Sequence, residues 1–481
     1  MSTLASTNPL GHPWPATRTP WPTRSAPLYG PDFARDPFSY YDSLRRTFGP
    51  VAPVTLEETG AFRGYLVLDH GHQLDVLQNR RQVWTRDSRW YRDLAEGALP
   101  PDHPIIPQFA YRRSRLYAEG TEHERLSTPG IRALAELDLL RTRDLIEDLA
   151  EQLISALFTD EEPGEVNEAD ILHQYALQLP LLVLMRLMGM DESSALATGN
   201  AIHEMLSGGP GAAQAAADLD ATMRALVTER QTNPGPDLVS WMHHHNQESG
   251  LDLAELSEDV WLQIVAGRGA STTWICNTVL ELLTNPDLNA DVVAARCSMS
   301  EAMNHVMWIN APIQNLIGRW ATQPTTLGGY DVNVGDLAIL SLGAISADPA
   351  MRGVDQYISR TNKAHLAWGA GTHGCPARDL GGLIVRTGLE VLWERLPGMR
   401  LAVPKEALTW DLPYVARSPS SLPVIFPRPP AAPKDGQPWT TQPKFISSPP
   451  RPISTEPKER PSERQGRLPR WRSLVAWWPR R

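Results

Sequence analysis

The sequence predicts a mainly α-helical fold with minor β-structure. Apolar residues recur at helical spacing through 138–157, 171–190 and 258–284, whereas strand-like runs are short, at 337–340, 401–403 and 423–426. A hydrophobic content of 42% with 21% charge is that of a globular chain able to build a large core. Length alone, 481 residues, would suggest roughly three domains. Yet residues 28–426 contain no linker and no internal repeat, so one large helical domain is expected there.

The two ends differ from this body. Residues 1–27 are interrupted by Pro9, Pro13, Pro15 and Pro20 and lack the apolar stretch of a secretory signal. Residues 427–481 are rich in Pro and Arg, and both ends read as disordered or extended arms. The tail carries 12 Lys and Arg against 4 Asp and Glu, leaving 33 against 51 in the rest. So acidic a body repels phosphate, which argues against a nucleic-acid binder. The last residues, from Arg470 through Trp471, Trp477 and Trp478 to Arg481, interleave Trp with Arg, as membrane-surface anchors and protein-docking peptides do. An inert arm is the plainer alternative. Three cysteines, Cys276, Cys297 and Cys375, exclude a disulfide framework. With no apolar run of the roughly 18 residues that span a bilayer, a cytoplasmic protein is expected.

Within the body, Pro180 should kink or divide the helix at 171–190. The helix at 258–284 has Ser257 as its expected cap, Glu258 and Asp259 in its first turn, Leu256 and Trp261 as a staple, and Asn285-Pro286 as its stop. It is apolar nearly all round (Val260, Leu262, Ile264, Val265, Ile275, Val279) and should run through the core. Its middle, from Ala266 and Gly267 to Thr273, is weakened by about 1 kcal/mol per Gly relative to Ala. Either a close helix crossing or a distorted turn against a flat ligand accounts for that.

The most specific signal is Trp368-Gly369-Ala370-Gly371-Thr372-His373-Gly374-Cys375-Pro376-Ala377. A glycine-rich loop presents one thiol ahead of a helix expected at about 379–396, where the dipole and free N–H groups favour a thiolate. Gly369 and Gly371 would let the backbone approach a bulky planar cofactor. Trp368 would cover the sulfur, and His373 would bind a carboxylate. Taken blindly, such a thiol is equally a structural one.

This stretch resembles the haem-binding loop of the cytochrome P-450 family, whose pattern is Phe-Gly-x-Gly-x-His/Arg-x-Cys-x-Gly. Trp368 replaces the Phe and Ala377 the final Gly. The resemblance covers 28–426 and is to actinobacterial-type members, with similar text at Gly335–Ala344, at Ala347-Asp348-Pro349 and from Trp410 to Val424. It implies the cytochrome P-450 fold, with small sheets around a buried haem b, and Cys375 as axial ligand of the iron. Trp368, Gly369 and Gly371 would line the haem, and His123, Arg319 and His373 would hold its propionates. It also implies a monooxygenase for a small organic substrate of the secondary-metabolite kind, fed with electrons from NAD(P)H through a ferredoxin and its reductase.

Several positions depart from the family. Its His-x-x-x-Arg has Ser127 at the Arg, with Arg125 pointing elsewhere. Its Glu-x-x-Arg falls on His305 and Trp308, its meander Arg near Gln356, and Glu301 is four residues too early. Losing one partner strands a buried charge at about 3–5 kcal/mol, whereas replacing the whole set can be neutral. A repacked core is therefore expected, similar to an atypical actinobacterial subfamily without Glu-x-x-Arg. In the long helix the proton-delivering acid and alcohol fall on Gly269 and Ala270. Ser271 or Thr272 would serve as proton relay if the helix bulged by one residue; otherwise water or substrate donates. Residues 87–106 would roof the pocket or form a surface loop. Arg112, Arg113 and Arg115 read as a solvated basic face that, with Arg378, would dock an acidic ferredoxin. The rival reading is a non-catalytic homologue acting as partner of another protein; the intact cysteine loop opposes it.

Overall fold

The protein was analysed as a computed structural model, which describes residues 7–99, 109–158, 166–207, 211–348, 356–410 and 415–427. Its strands are β1 (Ala26–Pro27), β2 (Val51–Thr55), β3 (Arg63–Val67), β4 (Trp84–Thr85), β5 (Val166–Asp170), β6 (Asn315–Ala321), β7 (Thr325–Leu327), β8 (Tyr330–Val332), β9 (Leu337–Ser341), β10 (Arg400–Leu401) and β11 (Pro423–Pro427). The helices are α1 (Pro31–Arg35), α2 (Pro37–Phe48), α3 (His70–Gln78), α4 (Arg92–Ala95), α5 (Gly120–Ala135), α6 (Leu139–Ser155), α7 (Leu179–Leu187), α8 (Glu192–Ser207), α9 (Ala212–Thr232), α10 (Leu238–His245), α11 (Leu253–Thr284), α12 (Pro286–Val293), α13 (Met299–Ile309), α14 (Gln356–Thr361) and α15 (Arg378–Arg395).

The helix-dominated expectation holds. One apolar cluster joins α6, α7, α9, α11, α13 and α15, with α11 through its centre. A six-stranded sheet, ordered β1-β2-β3-β9-β6-β4, forms the other end of the molecule and packs over a second cluster that includes Phe33, Tyr41, Phe62 and Trp320. Of its strands only β9 was expected from the sequence. Of the others, β1 and β4 are only two residues long, and β2 carries Pro53 in its middle, a poor strand signal.

Three expectations change. The division at Pro180 is real, but it takes the form of a π-helical turn at Leu172–Ala176 followed by α7 with the proline in its first turn. The long helix begins at Leu253, not 258. Asp252 caps it in a reciprocal capping box with Glu255, while Ser257 lies inside the helix and donates to the Leu253 carbonyl, 2.6 Å away. Residues 7–27 are no free arm. Arg18 bridges Asp93 and Asp336 at 2.7 Å each, Trp14 packs edge-on to Trp90, and Trp21 lies against Tyr65. Prolines keep this strap extended, and the ion pairs and indoles hold it down. Residues 1–6, the tail beyond Pro427 and the stretch 100–106 lie outside the described residues.

Candidate active site

The cysteine loop is closed by its own backbone. The Cys375 N–H donates to the Trp368 carbonyl (2.8 Å) and the Gly374 N–H to that of Gly371 (3.0 Å). Cys375 is the exposed thiol, whereas Cys276 and Cys297 are buried. Helix α15 starts only at Arg378. Desolvation by the surrounding loop raises the Cys375 pKa, against the opposing pull of the Ala377 N–H and the charges of Arg115 and Arg378. A coordinated cation would favour the thiolate against that burial.

Gly369 and Gly371 both have positive φ, 69° and 68°. At Gly371 a Cβ would stand 2.6 Å from the Leu77 carbonyl oxygen at the end of α3, so this glycine is needed for the contact with α3. Trp368 lies edge-on to Trp274 of α11 at 5.4 Å and against Gly381 of α15, tying the loop to both helices.

A second group lies between β6, α5 and the loop. The ladder of β6 with β9 shifts register between Ile317 and Arg319, and Gly318 takes φ 107°. This bulge re-aims Arg319 into the protein, where it is 2% exposed. Its guanidinium donates only to the Gly318 carbonyl among the described residues. Burial, and then the charge of Arg86, push its pKa far down against the pull of Glu119. His373 Nε2 lies 3.2 Å from Glu119 Oε1, and the rings of His373 and His123 meet at 4.6 Å. Burial lowers the pKa of His373 to about 4, with Arg319 and Arg86 adding to the effect and Glu119 opposing it. Burial also lowers His123. Burial alone would raise Glu119, but His373 and the Arg86 N–H hold it below the usual carboxylate range. The structure thus brings His123, Arg319 and His373 together. Sequence reading missed Glu119, the residue just before α5. Ser127 stands on the same helix face as His123, its hydroxyl 3.3 Å from Nε2. Arg125 is turned away onto Glu122 and Glu255.

Helix α11 is α-helical throughout, so the one-residue bulge is not there. Ala266 and Gly269 are exposed and Ala270 half-buried in the middle of a core helix, a stripe that a flat ligand would cover. The two hydroxyls expected as relay lie elsewhere. Thr272 donates to the Ala176 carbonyl at the end of the π turn (2.9 Å). Ser271 is buried and sits about 200° around the helix from Gly269.

The Glu-x-x-Arg position is rebuilt with neutral contacts. Trp308 Nε1 donates to the Asn362 carbonyl (2.7 Å), Asn304 donates to the carbonyls of Ser359 and Asn362, and His305 Nδ1 shares a 2.7 Å hydrogen bond with Ser359 Oγ. His305 Nε2 approaches Glu281 at 3.8 Å. Glu301 caps α13 instead. The side chain of Gln356 lies outside the described residues. The basic face is corrected too. Arg112 pairs with Glu258 and Asp220, Arg113 with Asp252 and Glu255, and Arg115 with Asp259, so these arginines lock the start of α11. His243, His244 and His245 form the last turn of α10, and no cluster of metal-ligating side chains occurs among the described residues.

A solvent-reachable thiol, an exposed stripe on the core helix and a buried guanidinium with no ion pair among the described residues are features that a haem, a flat metal complex with carboxylate arms, would engage. No family model matches the chain. It is 27% identical over 343 residues to mycinamicin IV hydroxylase/epoxidase of Micromonospora griseorubida, covering 68% of this chain and 84% of that protein. It is 26% identical to the cytochrome P-450 monooxygenase PikC of Streptomyces venezuelae, covering 83% and 93%. The solved structure of CYP154C4 from Streptomyces sp. W2061 superposes with a TM-score of 0.74 at 28% identity, covering 84% of this chain and 98% of that one. In sequence and fold the chain is similar to bacterial cytochromes P-450, and that similarity implies a haem iron cofactor. Its relatives are named monooxygenases and hydroxylases, and it is an enzyme of that kind. No described helix is long and apolar enough to cross a membrane.

Proposed function

We propose that this enzyme oxidises a small organic substrate of the secondary-metabolite kind with O2, taking electrons from NAD(P)H through a ferredoxin and its reductase. The observation that carries the reading is the self-closed loop presenting Cys375 beside the buried, uncompensated Arg319. Cys375 would ligate the iron. Arg319 would hold a propionate as a charged donor, with His373 and His123 as neutral donors beside it. Bound haem supplies the O2 activation, and the thiolate favours O–O cleavage. Trp368 packs the loop against α11, and Ala266, Gly269 and Ala270 leave a smooth surface for the cofactor and substrate. That surface offers no side-chain proton, so water or the substrate delivers it. Because a positioned acid–base group contributes about 10²–10⁴-fold, much of the reducing power is expected to be lost as peroxide. Docking of ferredoxin falls to Arg378 and its surroundings, since Arg112, Arg113 and Arg115 are internally paired.

Assay with ferredoxin, its reductase and a panel of macrolide and other polyketide substrates tests this reading. Substrate-dependent NAD(P)H consumption with an oxygenated product is expected. Folded protein that shows no thiolate-type spectrum of the reduced carbonyl complex would refute it.

A further inference from the structure

We infer that Arg86 is the second cation that binds the haem carboxylates, standing in for the arginine absent at Ser127. The inference rests on the haem-thiolate reading. Strands β4 and β6 pair antiparallel with Trp84 opposite Ala321 and Thr85 opposite Trp320. Continued by one residue, that register sets Arg86 opposite Arg319. Like charges directly opposite each other on a sheet repel, and here burial removes the water that would screen them. Both guanidinium groups are driven below their usual pKa, chiefly by burial.

Their counter-charge is incomplete. Glu119 is the carboxylate nearest to both, and its Oε1 already takes the Arg86 backbone N–H at 3.1 Å and lies 3.2 Å from His373 Nε2. Arg86 Nε is buried with no hydrogen-bond partner, and no ion pair forms on its side chain among the described residues. Two cations therefore share one carboxylate, an arrangement that awaits a further anion. Guanidinium forks suit carboxylates, which they grip with two parallel hydrogen bonds. The usual family cation is out of reach, because Ser127 ends in a hydroxyl turned to His123 and Arg125 is held by Glu122 and Glu255. The charge has moved from a helix face to a strand end, where the neighbouring arginine meets the same group.

The test uses full-length holoprotein and follows transfer of haem to excess apomyoglobin at the Soret band. Arg86→Gln is expected to speed haem loss roughly tenfold or more, the factor that one charge-assisted hydrogen bond supplies. Arg86→Lys should fall between the two. Arg86→Gln/Ser127→Arg should regain most of the retention, because the cation returns by the other route. With haem dimethyl ester, whose carboxylates are capped, wild type and Arg86→Gln should lose the cofactor at the same rate. Wild-type loss from Arg86→Gln, or a lower Tm of its apoprotein, would overturn the inference, the latter by showing a structural role. A wild-type chain that takes up no haem would instead defeat the parent reading, so the two failures are distinguishable.

Discussion

In the proposed reading the cysteine loop and the middle of α11 serve the same cofactor, yet they meet the family pattern very differently. The loop keeps its thiol, its two positive-φ glycines and its histidine, and it adds an indole that packs on α11. The helix has lost the acid and the alcohol, and its remaining hydroxyls are engaged or turned away. Holding a cofactor and supplying a proton are therefore separable demands. Retention depends on buried charge and covalent ligation, which fail abruptly when one member is lost, whereas water can take over proton delivery at a cost in rate.

The strongest way to break this comparison is Cys375→Ala, which should abolish the thiolate-type carbonyl spectrum and all oxygenation. Next is Trp308→Arg. It places a cation 6% exposed among the Asn362 and Ser359 contacts with no partner, and should cost about 3–5 kcal/mol in chemical unfolding. Adding His305→Glu should recover part of that loss, and a double-mutant cycle would measure the coupling. On the helix side, Gly269→Asp/Ala270→Thr restores the missing pair. A Cβ at Gly269 meets no protein atom within 4 Å, so the change clashes with nothing in the chain itself. The rate of product formation should rise by about 10²-fold, and the share of NAD(P)H coupled to product should rise with it, if an acid–base group is all that is missing. Smallest is Thr272→Val, which orphans the Ala176 carbonyl and should cost about 1 kcal/mol while leaving the coupling ratio unchanged. A fall in coupling there would return Thr272 to the proton path.

Local text told most about local structure. The loop could be read because its glycines, thiol and following helix are consecutive. The end of α11 was marked by Asn285-Pro286. Its beginning was misplaced because Ser257 and Asp252 are both good caps, and only the reciprocal bond of Asp252 with Glu255 decides between them. The proline-rich start of the chain read as a free arm, since nothing in 7–27 announces that Arg18 will meet Asp93 and Asp336.

By itself the sequence determined the helical class, the glycine-rich loop that presents one thiol and the absence of an acid at Gly269, because each depends on residue type at close spacing. Only the tertiary structure decided where the charges go. Arg319 faces inward because of a bulge, Glu119 joins it from the turn before α5, and Arg86 stands opposite because of strand register. Those meetings join residues 200 or more positions apart, and long-range pairing leaves no periodic trace in the chain.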